Sequence, residues 1–343
     1  MGTNQREYSQ LYRLSGLFTL ALRLVVGWTY FSAFWRRLIL ENKLDPNIPG
    51  YIGEKFNHFL PNALGIKPMI EYLVSNPDIL WWAMLVFTVI EAIVGLFILL
   101  GLATRLMSLA VMALATGILL GSGWLGTTCL DEWQIGILGM ATGFTLFFTG
   151  GGEYALDHLI QKRLSSTGLT LYSWIGSGIL PMNIILMKRL ALGGTALIFS
   201  MTLLTNQYFH NGVWGTLHNK SVKPVVEISE AELTDKSLSF TVYRVEGVDV
   251  YGSFLIGIQL NNIDGELVWK KNGEDLSRFP KFAIDNYYVA KVAVGAHSLL
   301  IPLGSKAKLT IQDERFHLLD KGTYVLVLTD ISGITWSRQI VVD

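Results

Sequence analysis

The chain has 343 residues with 27 basic and 27 acidic side chains, so it has no net charge and no polybasic footprint for nucleic acid. Its hydrophobic content of 51%, charged content of 16% and mean hydropathy of +0.41 exclude an ordinary soluble protein. Cys129 is the only cysteine, which rules out an intrachain disulfide.

A helix crosses a bilayer core in about 20 apolar residues. A polar lead with Arg6 and Arg13 runs into an apolar stretch at 14–35 that lacks a small-residue cleavage site. That pattern predicts a retained first span rather than a removed leader, with Arg23 as its one internal charge. Residues 79–100 predict a second span around Glu91, 106–124 a third and 133–149 a fourth. Residues 190–209, preceded by Lys188 and Arg189, predict a fifth. The apolar stretch 169–187 is interrupted by Gly176, Gly178, Pro181 and Asn183, and reads as an amphipathic or re-entrant connector.

Basic residues near span ends set orientation. Arg6, Arg13, Arg105, Lys162, Arg163, Lys188 and Arg189 all assign their ends to the cytoplasm, whereas the loop 125–132 has no basic residue and holds Asp131 and Glu132. Arg36 and Arg37 dissent. The expected topology is an inner-membrane, multi-pass protein with a cytoplasmic N-terminus and a periplasmic or extracellular C-terminal domain. The proline-rich loop 36–78 then forms an extracytoplasmic cap, and apolar patches such as 56–64 are expected on the membrane surface.

From Val225 the period becomes that of strands: Leu238, Phe240 and Val242 alternate with Ser239, Thr241 and Tyr243. Asp264-Gly265 between 254–260 and 267–269 predicts a hairpin. Further strands at 299–303, 308–311, 324–329 and 336–342 give about seven in all, an immunoglobulin-like β-sandwich held by its core alone. The expected domains are a four-helix membrane domain at 1–165, a connector at 166–189, a transmembrane anchor and juxtamembrane segment at 190–221, and the extracytoplasmic sandwich at 222–343.

The run Glu91-Ala-Ile-Val-Gly95-Leu-Phe-Ile-Leu-Leu-Gly101-Leu-Ala-Thr104-Arg105 resembles the DoxX superfamily of four-helix membrane proteins. Arg23, Gly27 and the aromatics after them fit that family's first helix. Thr128-Cys129-Leu130-Asp131-Glu132-Trp133-Gln134 and Gly150-Gly151-Gly152-Glu153-Tyr154-Ala155-Leu156-Asp157 resemble DoxD in particular. A single span, the run Phe209-His210-Asn211-Gly212-Val213-Trp214-Gly215-Thr216-Leu217-His218-Asn219 and a β domain resemble DoxA. The resemblance implies the small and large partners of thiosulfate:quinone oxidoreductase fused in one chain. It also implies oxidation of thiosulfate to tetrathionate outside the cytoplasm, with membrane quinone as electron acceptor.

Charges inside a span are costly, about 2.5–3.5 kcal/mol on insertion scales, and usually face a partner or cavity. Arg23 and Glu91 lie at similar depths from opposite ends of their spans, which predicts a buried ion pair near mid-membrane. The pair serves either to hold the bundle or to relay protons to quinone. Arg105 at the turn is accounted for by snorkelling and topology, and Gly95 and Gly101 by close helix packing. Cys129 is a candidate for sulfane exchange with thiosulfate by thiolate attack. Its acidic neighbours oppose that role, and the bland alternative is a small packing residue. Asp131, Glu132 and Gln134 suit the N-terminus of span four. Arg36, Arg37, His210, His218 and Lys220 are candidates for holding a sulfur dianion, and Trp214 with its neighbours for an interfacial belt.

The sequence carries no haem, flavin, iron-sulfur or metal motif: it has no Cys-x-x-Cys-His, no cluster-forming cysteines and no metal-spaced histidine pair. The glycines at 150–152 end a span and open no dinucleotide-binding unit. The rival reading is a non-catalytic, membrane-anchored subunit of an envelope complex whose β domain binds a partner protein. A homo-oligomer is compatible with either reading. A transporter is disfavoured by the few polar groups in the spans.

Overall fold

The computed structural model describes residues 2–123, 132–217, 223–247 and 253–342. The helices are α1 (Gly2–Phe18), α2 (Leu20–Phe34) with a π-helical turn (Trp35–Leu40), α3 (Ile52–Phe59), α4 (Lys67–Ser75), α5 (Pro77–Leu100), α6 (Thr104–Ser122), α7 (Glu132–Thr149), α8 (Leu156–Gln161), α9 (Ser166–Ile175) and α10 (Ile184–His210). The chain forms two compact units, one made of Met1–Ile52, Trp81–Leu120 and Asp131–His218, the other of Gly53–Leu80, Gly121–Leu130 and Asn219–Asp343.

In the first unit α5, α6 and α10 are long and apolar enough to cross a membrane. The first expected span is a bent pair, Gln10–Phe18 and Leu20–Leu40, with 48° between the halves. The bend falls at Thr19, whose hydroxyl donates back to the Ser15 carbonyl at 3.0 Å, a local bond that competes with the helix ladder. The same hydroxyl reaches Thr149 Oγ1 at the end of α7, at 3.2 Å. The fourth expected span is the shorter apolar helix Trp133–Thr149. The stretch 169–187 is not one continuous helix: α9 ends at Ile175 with Gly176 as its cap, and helix resumes only where the Asn183 side chain accepts from Ile185 N–H to cap α10.

Val26 and Tyr30 of α2, Val94 and Ile98 of α5, Val111 and Leu114 of α6 and Leu146 of α7 form the bundle core. Helix α10 differs from these: 6% of its apolar window is buried inside the chain, against 33% for α5 and 44% for α6. A helix apolar all round and so little covered by its own chain is one that meets lipid.

Helices α2 and α5 cross at Gly27 and Gly95. A Cβ on Gly27 would lie 2.8 Å from Leu99 N, and one on Gly95 would lie 2.7 Å from Gly27 O. Both obstacles are backbone, which cannot rotate away. Gly95→Ala is therefore expected to lower the apparent melting temperature in detergent by about 3–10 °C, from an overpacking cost of about 1–3 kcal/mol. Gly117→Ala is the control, because nothing lies within 4 Å of its Cβ position. Equal melting of the two variants would show that this crossing is not tight.

The second unit contains the β domain. Its strands are β1 (Val225–Leu233), β2 (Ser237–Glu246), β3 (Ser253–Asn262), β4 (Leu267–Asn272), β5 (Ile284–Asn286), β6 (Ala293–Val294), β7 (Leu299–Ile301), β8 (Lys306–Gln312), β9 (Gly322–Asp330) and β10 (Thr335–Val342). They make two antiparallel sheets, ordered β1-β2-β8-β5 and β10-β9-β3-β7-β6, with β4 also paired to β3. Leu238, Phe240, Val242 and Leu309 of one sheet and Leu255, Ile258, Leu260 and Leu326 of the other share one core. The predicted hairpin joins β3 to β4 with Gly265 at φ +87°. The strand count exceeds the expected seven by three: β1, whose alternation is broken by a register shift between Ser229 and Glu232, and β5 and β6, which at three and two residues are too short to show a period.

The loop after the first span is not a free cap. Leu60, Ile70 and Val74 are buried with Tyr288 of the β domain, and Phe56, Phe59, Ala63, Ile66, Tyr243 and Val289 pack against them. The patch at 56–64, expected on the membrane surface, is thus covered by the β domain instead. Polar contacts fix the join. The Asn57 amide donates to the Gly304 carbonyl and accepts from Ala290 N–H at 3.2 Å, Val289 N–H donates to the Val74 carbonyl at 3.2 Å, and Tyr288 Oη donates to Glu71 Oε1 at 2.6 Å. Burial and the Glu71 carboxylate push the Tyr288 phenol well above its usual range, so it stays a donor.

Candidate functional site

Among the described residues, two polar sites interrupt the apolar bundle. On α2 the buried face runs through Arg23, Val26, Gly27, Tyr30 and Ala33, at helical spacing, and one further turn brings Arg37 to the same side. On α5, Glu91 stands one turn before Gly95. Arg37 Nη1 donates to Glu91 Oε2 in an ion pair. The Glu91 side chain is 6% exposed and the Arg37 side chain 21%, so the arginine closes the site from its more open edge. Arg36 is near but is not part of the ion pair: it is exposed, and its Nε donates to the Ser32 carbonyl at 3.3 Å.

The expected pair of Arg23 with Glu91 does not form. Gly27 and Gly95 are level where the antiparallel helices cross, so Arg23, one turn before Gly27, is level with the far end of α5. A Cβ on Gly101 would indeed be 2.5 Å from Arg23 Nη1. Glu91 lies ten residues back along α5, about 15 Å at 1.5 Å per residue. Counting depth from sequence ends missed this, because it ignored the bend at Thr19 and the place of the crossing.

Arg23 instead belongs to a second site at the α5–α6 turn. Its Nη1 donates to the Gly151 carbonyl and its Nη2 to the Tyr154 carbonyl, both at 2.6 Å. Beside it Asp157, fully buried, accepts five hydrogen bonds: Ala103 N–H at 2.7 Å, Thr104 N–H at 3.0 Å, Thr104 Oγ1 at 2.7 Å, Tyr172 Oη at 2.6 Å and Ser177 Oγ at 2.7 Å. Burial and this carboxylate raise the Tyr172 phenol far above its usual range. Gly101, at φ +64°, accepts Asp157 N–H at 2.9 Å and leaves no room for a side chain.

Arg105 is fully buried rather than snorkelling. Its Nε donates to the Phe147 carbonyl at 2.9 Å, Nη1 to the Ser173 carbonyl and Nη2 to the Gly178 carbonyl at 2.5 Å. Phe147 and Ser173 lie in the last turns of α7 and α9, where carbonyls lack helical partners and the helix dipole favours a cation. Gly178 N–H donates to Tyr12 Oη at 2.6 Å, and Ser177 Oγ accepts Gly151 N–H at 2.7 Å. The breaks in the connector therefore supply backbone groups to the site. Sequence reading assigned no role to Asp157, Tyr172, Ser177 or Tyr12. The available signal was one acid in the apolar setting of Leu156, Leu159 and Ile160.

Cys129, Asp131, His218 and Lys220 lie outside the described residues. Helix α7 starts at Glu132, with Gln134 in its first turn. His210, the last residue of α10, is buried with its ring stacked on Trp133 of α7, centroids 6.4 Å apart, while Trp214 is exposed. Among the described residues no three His, Cys, Asp or Glu side chains are grouped to hold a metal ion.

Two family models match the chain. The one described as TQO small subunit DoxD covers residues 18–186, which includes both polar sites apart from Tyr12, and the one described as TQO small subunit DoxA covers residues 209–339. Both descriptions name a small subunit, which replaces the expected division into a small and a large partner.

Proposed function

We propose that this chain, which belongs to the DoxD and DoxA families joined in one polypeptide, oxidises thiosulfate to tetrathionate outside the cytoplasm and passes the electrons to membrane quinone. TQO abbreviates thiosulfate:quinone oxidoreductase. In the overall reaction two thiosulfates lose one electron each and join through a new S–S bond, and one quinone takes up both electrons and two protons. The observation that carries the reading is Glu91, a carboxylate sealed inside an apolar span with a guanidinium on its open side. An ionisable group at that depth is a candidate for passing protons to a quinone, and the adjoining arginines for meeting a dianion.

The orientation keeps the N-terminus and the basic residues Arg13, Lys162, Arg163, Lys188 and Arg189 in the cytoplasm. Two arginines leave that count. Arg105 serves the buried network, and Arg37, one of the two dissenters, serves Glu91. The balance is unchanged.

The test is quinone reduction by purified protein given thiosulfate and a soluble quinone. Glu91→Gln is expected to fold normally and to lose activity by about 100-fold, the lower range for a lost acid–base group. Full activity in that variant would remove Glu91 from the chemistry. A second reading, a non-catalytic anchored subunit, draws on the Asp157 and Arg105 network, which is hydrogen-bonded like a structural element. Wild-type protein that reduces no quinone with thiosulfate, yet co-purifies with envelope proteins, would favour it.

A further inference from the structure

We infer that Arg37 is a displaceable counter-ion: a bound dianion draws its guanidinium off Glu91, and the carboxylate freed inside the bundle takes a proton from solvent. The inference rests on the reading above only for the identity of the anion as thiosulfate.

Three observations carry it. First, the pair is lopsided, with the Glu91 side chain nearly sealed and the Arg37 side chain one-fifth exposed, so the cation is the partner that can leave. Second, a further cation stands beside the pair: Arg36 is consecutive with Arg37, is exposed and forms no part of the Glu91 ion pair, so a dianion that engages Arg37 has a second guanidinium next to it. Third, Arg37 stands on the six-residue π-helical turn Trp35–Leu40, beyond the contact at Gly27 and Gly95 that clamps α2 to α5. π-helical turns are rare and recur at functional sites, and this one lies past the crossing, so it can rearrange while the crossing holds.

The proton follows from burial. A carboxylate stripped of its cation in an apolar interior neutralises rather than remain charged. The ionisable groups around it are Tyr30, buried on the same face of α2, and the two arginines. Helices α6 and α7 each contribute one charged residue, Arg105, which is engaged at the other site, and Glu132 at the start of α7. The balance is one dianion bound at Arg37 and one proton gained at Glu91. Substrate arrival outside would thus load an acid inside the bundle.

The experiment adds thiosulfate, without quinone, to the full chain in weakly buffered detergent, and follows proton uptake with an indicator and binding by calorimetry. Wild-type protein is expected to take up about one proton per anion bound. In Glu91→Gln uptake disappears and the anion binds about fivefold tighter or more, because Arg37 no longer has a competing partner. In Arg37→Gln both binding and uptake are lost. If that variant misfolds, Arg37→Gln/Glu91→Gln, with no charge to bury, takes its place with the same expectation. Binding that is unchanged in Glu91→Gln, or binding without proton uptake in the wild type, would overturn the inference. Uptake without any quinone reduction in the companion assay would leave this inference standing and sink the oxidoreductase reading instead.

Discussion

Asp157→Ala is expected to be the most damaging single substitution in the bundle, lowering the apparent melting temperature by about 10–20 °C or abolishing recovery of folded protein. The alanine leaves two backbone N–H groups and three hydroxyls without their acceptor in a buried site. Each buried donor left unmade costs about 1–3 kcal/mol, and the Thr104, Tyr172 and Ser177 hydroxyls recover part of that by turning to other partners. A net loss of about 5 kcal/mol is comparable with the whole stability of a domain. Asp157→Asn keeps the volume and one acceptor oxygen and should fall between the two. Fluorescence-detected size-exclusion after a heat challenge reads the series, and wild-type melting of the alanine variant would show that the network is dispensable.

Asn57→Leu is expected to release α3 and α4 from the β domain. Leucine fills the same space but strands the Gly304 carbonyl and Ala290 N–H, for about 2–5 kcal/mol. Hydrogen exchange is the measurement. Amides of α3 and α4, and that of Val289, should exchange about 30-fold faster or more, at tenfold for each 1.4 kcal/mol, while β2, β8 and β9 keep their protection. Uniform acceleration through the sandwich would mean that the cap and the β domain unfold as one body.

What was legible in the sequence is what periodicity and composition encode. The spans at 79–100 and 133–149 differ from α5 and α7 by two residues or fewer at either end, because apolar runs end where Gly, Pro or charge begins. The strand period over Leu238, Phe240 and Val242 held for the same reason, since all three are fully buried in the sandwich core. The pairing of Glu91 was not legible. Two arginines competed for it, and the choice turned on a helix crossing fixed by Gly27 and Gly95, which is a matter of relative depth. Arg105 misled in another way. Placed at a turn it reads as a surface charge, and only the three-dimensional meeting of the ends of α7 and α9 gives it carbonyls to bind. The join between α4 and the β domain was equally hidden, because its partners, such as Glu71 and Tyr288, lie more than 200 residues apart.

That join has a consequence for how such chains are inherited. The border between the two matched family regions falls between residues 186 and 209, yet the compact unit holding the β domain also takes in Gly53–Leu80 from the first region. A gene divided at the border would yield two polypeptides, one with Leu60, Ile70 and Val74 uncovered and the other with Tyr243, Tyr288 and Val289 uncovered. Each half would carry the surface that recognises the other. Continuity of the peptide then sets copy number and order of synthesis, while recognition is written in side chains. Fission and fusion of the gene become alternative ways of delivering one assembly.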